Sequence, residues 1–318
     1  MSGDYGLDTI TVGNCTLTNF SLAVADFIND SASKQRGTQV GVLGINHKIN
    51  KTECHKRDCM KIPVTPTLSE AMVAAGRIQS NSYGISLGSS GSIVFGGVDT
   101  ARFTGPLVTL QTMPDESNST LRGQYTRQQL RLASTRTCID GVPQRNFTIA
   151  RTAAVLDTGN GAIRLPSDWL EDIYRNMQIP KVAYEDSLLP QVPCDNLTSN
   201  FSLEFTLADN TGDSGSSIQI AVPLRGLVVP IRNGFHNATR PHNVSAKDMC
   251  KFRLAPSDTT PGSYPGTISL GTPFLRSVYS FCNLDQHTIS LAKAVHNATS
   301  EHIVAIGKGQ VSMPTGTG

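Results

Sequence analysis

The chain has 318 residues, 38% hydrophobic and 16% charged, with a formal net charge of +2. This supplies enough apolar material for a sizeable core, which argues against wholesale disorder, and it lacks the basic footprint of a nucleic-acid or membrane-surface binder. No apolar run approaches ~18 residues, so no segment reads as a transmembrane helix.

In chain order, Asp8 to Val12 alternates, with Ile10 and Val12 on one face. Thr67-Leu68-Ser69-Glu70 is a capping box that opens a helix from Leu68 to Ala75, and Gly76 closes it. The stretch from Met113 to Arg122 is polar and marks a boundary region. Pro166-Ser167 opens a second helix, with Leu170, Ile173, Tyr174 and Met177 on one face and Pro180 as its stop; Trp169 and Tyr174 read as core. Leu203, Phe205 and Leu207 alternate within Ser202–Ala208, and Ile218, Ile220 and Val222 do the same. Thr272-Pro273 caps a single short turn. Val278 to Cys282 and Thr288 to Leu291 read as two strands joined by Asn283-Leu284-Asp285-Gln286. Residues 306 to 318 read as a flexible tail. Short strands separated by Gly and Asn give an all-β fold class.

Seven cysteines and eleven Asn-x-Ser/Thr sequons point to a glycosylated protein of the secretory pathway. The sequons are at Asn14, Asn19, Asn29, Asn50, Asn118, Asn146, Asn196, Asn200, Asn237, Asn243 and Asn297. The opening Met1-Ser2-Gly3-Asp4-Tyr5-Gly6 has neither a basic nor an apolar region of a signal peptide. Either the start of the protein lies upstream, or the cysteines and sequons mislead. Cys54 and Cys59, with His55 and Asp58 between them, suggest a small disulfide loop. Zinc is the alternative, but Lys56 and Arg57 intervene and no second ligand cluster follows. No Gly-x-Ser-x-Gly elbow is present, so a serine hydrolase is disfavoured.

The segment that carries chemistry is Ala153-Ala154-Val155-Leu156-Asp157-Thr158-Gly159-Asn160-Gly161. It sets an acid directly after a small apolar strand, in a tight glycine turn. Backbone N–H groups there reach the Asp157 carboxylate, and the Thr158 hydroxyl can brace the turn. Such a design suits a carboxylate held for acid–base work. Downstream comes Ile268-Ser269-Leu270-Gly271-Thr272-Pro273-Phe274-Leu275-Arg276, and upstream Gly41-Val42-Leu43-Gly44-Ile45 echoes the apolar-apolar-Gly element.

These segments, with Gly3 to Ile10, Ser80 to Leu87, Gly91 to Asp99, Val155 to Gly159 and Gly271 to Leu291, make the chain resemble the pepsin-like aspartic proteases, most of all the secreted fungal forms. They stand in the family's order and cover nearly the whole chain. The resemblance implies two β-rich lobes with a cleft between them, each lobe supplying one Asp-Thr/Ser-Gly. The two aspartates share a proton and activate a water that attacks a peptide carbonyl. It implies residues 1–104 as the remainder of an N-terminal lobe, 105–305 as a complete C-terminal lobe and 306–318 as the tail. Asp157 is then one catalytic carboxylate, with Thr158 and Gly159 as its turn and Asn160 as its hydrogen-bond neighbour. A Cys194–Cys250 disulfide is implied, with Cys15, Cys138 and Cys282 left over. The expected partner is a peptide or protein substrate met by a monomer outside the cytosol, with no metal or organic cofactor, because water is the nucleophile.

The chain also departs from the family. The resemblance places Met1 downstream of the first catalytic Asp and of the flap, so the chain alone is expected to be inactive. Asp213-Ser214-Gly215 lies in a polar run and reads as a hairpin loop, and Tyr5 is not the flap tyrosine. Asn160 stands where the family has Ser or Thr, Gly271-Thr272-Pro273 where it has Gly-Asp-Thr, and Ser269 where it has an apolar residue. These departures support an alternative, a non-catalytic binding or structural protein on the same scaffold. A homodimer in which each chain gives one Asp is disfavoured, because residues 1–104 would obstruct a symmetric cleft.

Overall fold

The computed structural model describes residues 2–27, 41–48, 52–55, 58–61, 65–88, 90–116, 122–149, 152–179, 189–194, 197, 200–209, 215–231, 249–257 and 267–318. The expected stop at Pro180 and the Asp213 loop lie outside them.

Most of the described chain is strand. An eight-stranded sheet runs in the order Ser217–Pro223, Phe201–Ala208, Gln129–Ile139, Thr152–Leu156, Ile268–Leu270, Ile163–Leu165 and Leu254–Pro256, with Val142–Phe147 paired to Gln129–Ile139. The alternation read in 201–208 is realised: Phe201, Leu203, Phe205 and Leu207 are buried and the residues between them are part-exposed. Phe205 meets Phe274 edge to face, with ring centroids 5.5 Å apart.

A six-stranded sheet mixes distant parts of the sequence. Its order is Thr315–Thr317, Phe103–Gln111, Thr288–Ala294, Val278–Asn283, Ser82–Ser86 and Ser92–Phe95. The strand Phe103–Gln111 spans the position between 104 and 105 and joins this sheet as one element. Beside it, Ile303–Ala305 pairs with Gly97–Asp99.

The tail expected at 306–318 is therefore corrected. Ile306 is fully buried among Val98, Phe103 and Tyr279, and Thr315–Thr317 adds an antiparallel strand to Phe103–Gln111. Burial of Ile306 and the backbone ladder overcome the loop-like Gly, Ser and Pro content of this stretch.

Helices are short. Leu68–Ala74 has both arms of its capping box: Thr67 Oγ1 accepts from the Glu70 amide, and Glu70 Oε2 accepts from the Thr67 amide. Gly76 follows with φ 65°, the left-handed conformation that glycine adopts without strain. Ser167–Asn176 buries Trp169, Leu170, Ile173 and Tyr174 on one stripe. The Tyr174 hydroxyl donates to the Leu254 carbonyl at 3.0 Å, which locks the helix to the edge of the large sheet. Thr272–Leu275 is the short turn expected from Thr272-Pro273.

Two long strands, Ser2–Val12 and Cys15–Phe27, form a hairpin that packs Leu17 against Leu68 and Met72. Cys194 and Cys250 are disulfide-bonded across the pair Gln191–Pro193 and Met249–Phe252. Thr52–His55 and Asp58–Lys61 pair with Cys54 opposite Cys59; the side chains of that loop lie outside the described residues. Cys15, Cys138 and Cys282 carry free thiols.

Candidate active site

The turn that holds Asp157 is completed by a strand from more than a hundred residues later. The chain leaves along Thr152–Leu156, turns, and returns along Ile163–Leu165, but Ile268–Leu270 lies between the two. It pairs parallel with the first, Ala154 with Ile268 and Leu156 with Leu270, and antiparallel with the second, Ile163 with Leu270. Ala154, Ile163, Leu165, Ile268 and Leu270 have no exposed surface, so one face of this unit is core. The opposite parity carries Val155, Ser269 and Arg164, which are paired across the strands. Asp157 follows Val155 on the same parity and emerges beside Ser269.

The turn itself is closed by hydrogen bonds. The Asp157 amide donates to the Leu270 carbonyl at 3.2 Å, and the Asn160 amide donates to the Asp157 carbonyl at 3.2 Å. The Gly159 amide donates to Asp157 Oδ1 at 3.0 Å. The Ala162 amide donates to Asn160 Oδ1 at 3.0 Å, an Asx turn that fixes the Asn160 side chain. Gly271 packs against the carbonyls of Asn160 and Ala162 with no room for a Cβ. The Thr272 amide and hydroxyl both donate to the Asn160 carbonyl, at 2.8 and 3.3 Å. Gly271-Thr272, read as a departure, thus clamps the turn. Thr158 is exposed, and no bracing bond from its hydroxyl is found among the described residues.

Asn160 does not reach the carboxylate directly. Its Nδ2 donates to Ser269 Oγ at 2.9 Å, and Ser269 Oγ donates to Asp157 Oδ2 at a long 3.4 Å. Sequence reasoning noted Ser269 only as an unexpected polar residue. The signal that finds it is strand parity, since Ile268 and Leu270 point into the core and leave Ser269 on the face of Asp157.

Asp157 and Thr158 line a cavity of about 180 Å³. Ile45 and Asn46 reach it from the Gly41-to-Ile45 element, Tyr83 and Ile85 from Ser82–Ser86, and Ser280 and Cys282 from Val278–Asn283. Four of the segments on which the resemblance rests therefore meet at this cavity, whereas Gly3 to Ile10 and Gly91 to Asp99 do not line it. Burial pushes the Cys282 thiol up to about 12. Burial, reinforced by Cys282, also raises the Tyr83 phenol well above its ordinary value. That wall stays protonated and uncharged through neutral and acid pH. Arg127 is the cation of the lining, and it is paired with Asp115 at 3.0 Å. Arg253, which donates to the Thr272 hydroxyl at 3.5 Å, has its guanidinium lowered by burial and then by neighbouring Arg276.

A larger cavity, about 880 Å³, lies elsewhere, between the 2–27 hairpin and the Leu68–Ala74 helix. Its lining holds no carboxylate, histidine or thiol, so the smaller cavity is the chemical candidate. Among the described residues, no group of three or more His, Cys, Asp or Glu is arranged to hold a metal.

Comparison with known proteins shows the family and the fold. The family model of the eukaryotic aspartyl proteases matches residues 1–294. An Arthroderma benhamiae protein named "Probable aspartic-type endopeptidase OPSB" is 32% identical, over 100% of this chain and 58% of its own length. "Secreted aspartic protease 9" of Candida albicans is 26% identical, over 99% of this chain and 50% of its own length. In fold, the chain is similar to the aspartic proteinase from Irpex lacteus, with a TM-score of 0.64 and 16% identity, over 94% of this chain and 79% of that one. The chain thus spans between half and three-fifths of the length of these curated relatives.

Proposed function

Because the chain belongs to the eukaryotic aspartyl protease family, we propose that it acts in aspartic-type endopeptidase chemistry, with Asp157 as one of two carboxylates that activate a water against a peptide carbonyl. The observation that carries this reading is the Asp157 carboxylate itself. It is fixed by the Gly159 amide and by Ser269 and lines the cavity at which four of the family-like segments meet. Gly159 and Asn160 shape the turn, and Thr158 lies exposed on it, lining the same cavity. The substrate class is peptide or protein, and the reading requires no metal.

The reading needs a second carboxylate. The sequence has one other Asp-Ser/Thr-Gly, at Asp213, in the polar run already read as a loop. We therefore expect the 318 residues alone not to hydrolyse peptide bonds, and a form that carries a second strand-borne Asp-Thr/Ser-Gly to do so. A secretory or extracellular location is part of the proposal. It is supported by the sequons at Asn14, Asn19, Asn146, Asn200 and Asn297, all exposed, and by the printed name of the Candida relative. A monomer is the expected state.

The observation favouring the second reading, a non-catalytic protein on this scaffold, is that Asn160 donates to Ser269 instead of to Asp157. The test is peptide hydrolysis at acid pH by the natural protein and by its Asp157→Asn variant. Activity lost in the variant supports the protease. A folded natural protein that cuts nothing supports the second reading, and a variant that cuts as well as the parent overturns the role of Asp157.

A further inference from the structure

We propose that Ser269 is a positioning residue for Asp157, replacing the direct contact that Asn160 does not make. The inference rests on the proteolytic reading above and assigns a role to a residue that the family pattern leaves apolar.

The geometry points one way. Asn160 has its two functions divided: Oδ1 is occupied by the Ala162 amide at 3.0 Å, and Nδ2 is spent on Ser269 Oγ at 2.9 Å. With its amide donor there, the Ser269 oxygen acts as acceptor, and its own proton is directed away from Asn160. The acceptor in reach is Asp157 Oδ2, at 3.4 Å. A hydroxyl has one proton and two lone pairs, so it can accept from Asn160 and donate to Asp157 at once. Carboxylate Oδ1 is held by the Gly159 amide at 3.0 Å, which leaves Oδ2 as the oxygen whose orientation Ser269 sets.

The backbone makes the arrangement stiff. Ser269 sits between Val155 and Arg164, paired with both strands, and its neighbours Ile268 and Leu270 are buried without exposure. Its Cα cannot shift without moving the core. A short side chain on such a site holds its hydroxyl in a narrow range. In the relay, Asn160 orients Ser269 and Ser269 orients the carboxylate. Loss of a hydrogen bond to a charged group from the reacting state lowers a rate about 10- to 100-fold.

The test uses the natural protein and its Ser269→Ala, Ser269→Thr and Asp157→Asn variants, each shown to be folded by its melt. Ser269→Ala is expected to lower kcat about tenfold or more with KM nearly unchanged, and Ser269→Thr to restore most of the loss. Activity that survives Asp157→Asn overturns the proteolytic reading and the inference with it. Activity that dies in Asp157→Asn but is unchanged in Ser269→Ala overturns the inference alone. A second readout needs no hydrolysis: the Asn160 side-chain amide resonance. It is expected to move upfield in Ser269→Ala, where its acceptor is gone, and to stay near its place in Ser269→Thr. An unmoved resonance in Ser269→Ala sinks the relay whatever the kinetics show.

Discussion

Gly271 runs so close to Ala162 that a Cβ at position 271 would overlap the Ala162 carbonyl oxygen, and that of Asn160 as well. The close approach lets the strand Ile268–Leu270 pass beneath the Asp157 turn and lets Thr272 clamp it. Both obstructing atoms are backbone, so neither can swing aside. Gly271→Ala is expected to cost about 3 kcal/mol or more, at the upper end for overpacking. Urea unfolding checks this against Gly161→Ala, an open position in the Asp157 turn itself with nothing within 4 Å. Equal stability of the two variants would refute the argument.

The Cys194–Cys250 bond closes a loop of 56 residues between two paired strands. Cross-linking restricts the unfolded chain, and for a loop of this size the effect is roughly 4 kcal/mol in the chain-entropy account. A Cys194→Ala/Cys250→Ala double variant should unfold at clearly lower denaturant than the parent. Reductant should shift the parent toward the variant and leave the variant where it is.

His47, His287 and Tyr125 form a cluster with a directional response to acid. Tyr125 and His287 stack at 3.9 Å with nearly parallel planes, and His47 tilts against His287 at 5.1 Å. Burial, and then the charge of His287, lower the His47 imidazole to about 4, against an opposing pull from Glu70. Burial lowers His287 too, opposed by Asp285. The folded state therefore prefers His47 neutral, while the unfolded chain takes up its proton near pH 6.5. Between those values the unfolded state binds more protons, so stability is full above pH 6.5 and falls as pH drops toward 4. Melting temperatures from pH 7 to 4 should decline less steeply in His47→Gln than in the parent. A parallel decline would remove His47 from the account.

Asp99 is buried and accepts from the Ala101 amide, Arg102 Nε and the His302 amide, the last at 2.8 Å. It therefore ties the turn after Gly97–Asp99 to the segment entering Ile303–Ala305. Asp99→Ala strands part of a buried guanidinium and frees two amides, at a cost of about 3–5 kcal/mol. Hydrogen exchange should show protection lost first across the Gly97–Asp99 and Ile303–Ala305 pair. Loss spread evenly over both large sheets would contradict a local role.

Much of the site was legible because its signals are local. Asp-Thr-Gly after Ala153-Ala154-Val155-Leu156 needs only a strand and a turn, and Thr67 to Glu70 needs only one helical turn. The alternation in Phe201–Ala208 likewise reports its own burial. What stayed hidden depends on pairing between distant segments. Nothing near Ser269 announces Asn160 as its donor, because their proximity exists only once Ile268–Leu270 lies between the two strands around Asp157. Residues 306–318 read as a tail because their composition is that of a loop, while their order comes from Phe103–Gln111, two hundred residues earlier. Thr272 looked like a lost acid, yet its amide and hydroxyl hold the Asn160 carbonyl.

The same long-range pairing sets a schedule for the chain as it is made. Ser82–Ser86 waits for Val278–Asn283, Phe103–Gln111 waits for Thr288–Ala294 and Thr315–Thr317, and Asp99 meets His302 across 203 residues. Contacts so far apart in sequence form slowly, and early strands expose unpaired edges in the meantime. A nascent chain cannot complete the six-stranded sheet until Thr315–Thr317 has been made and has left the ribosome. Until then Ser82–Ser86 and Phe103–Gln111 each lack a strand partner that the finished sheet supplies.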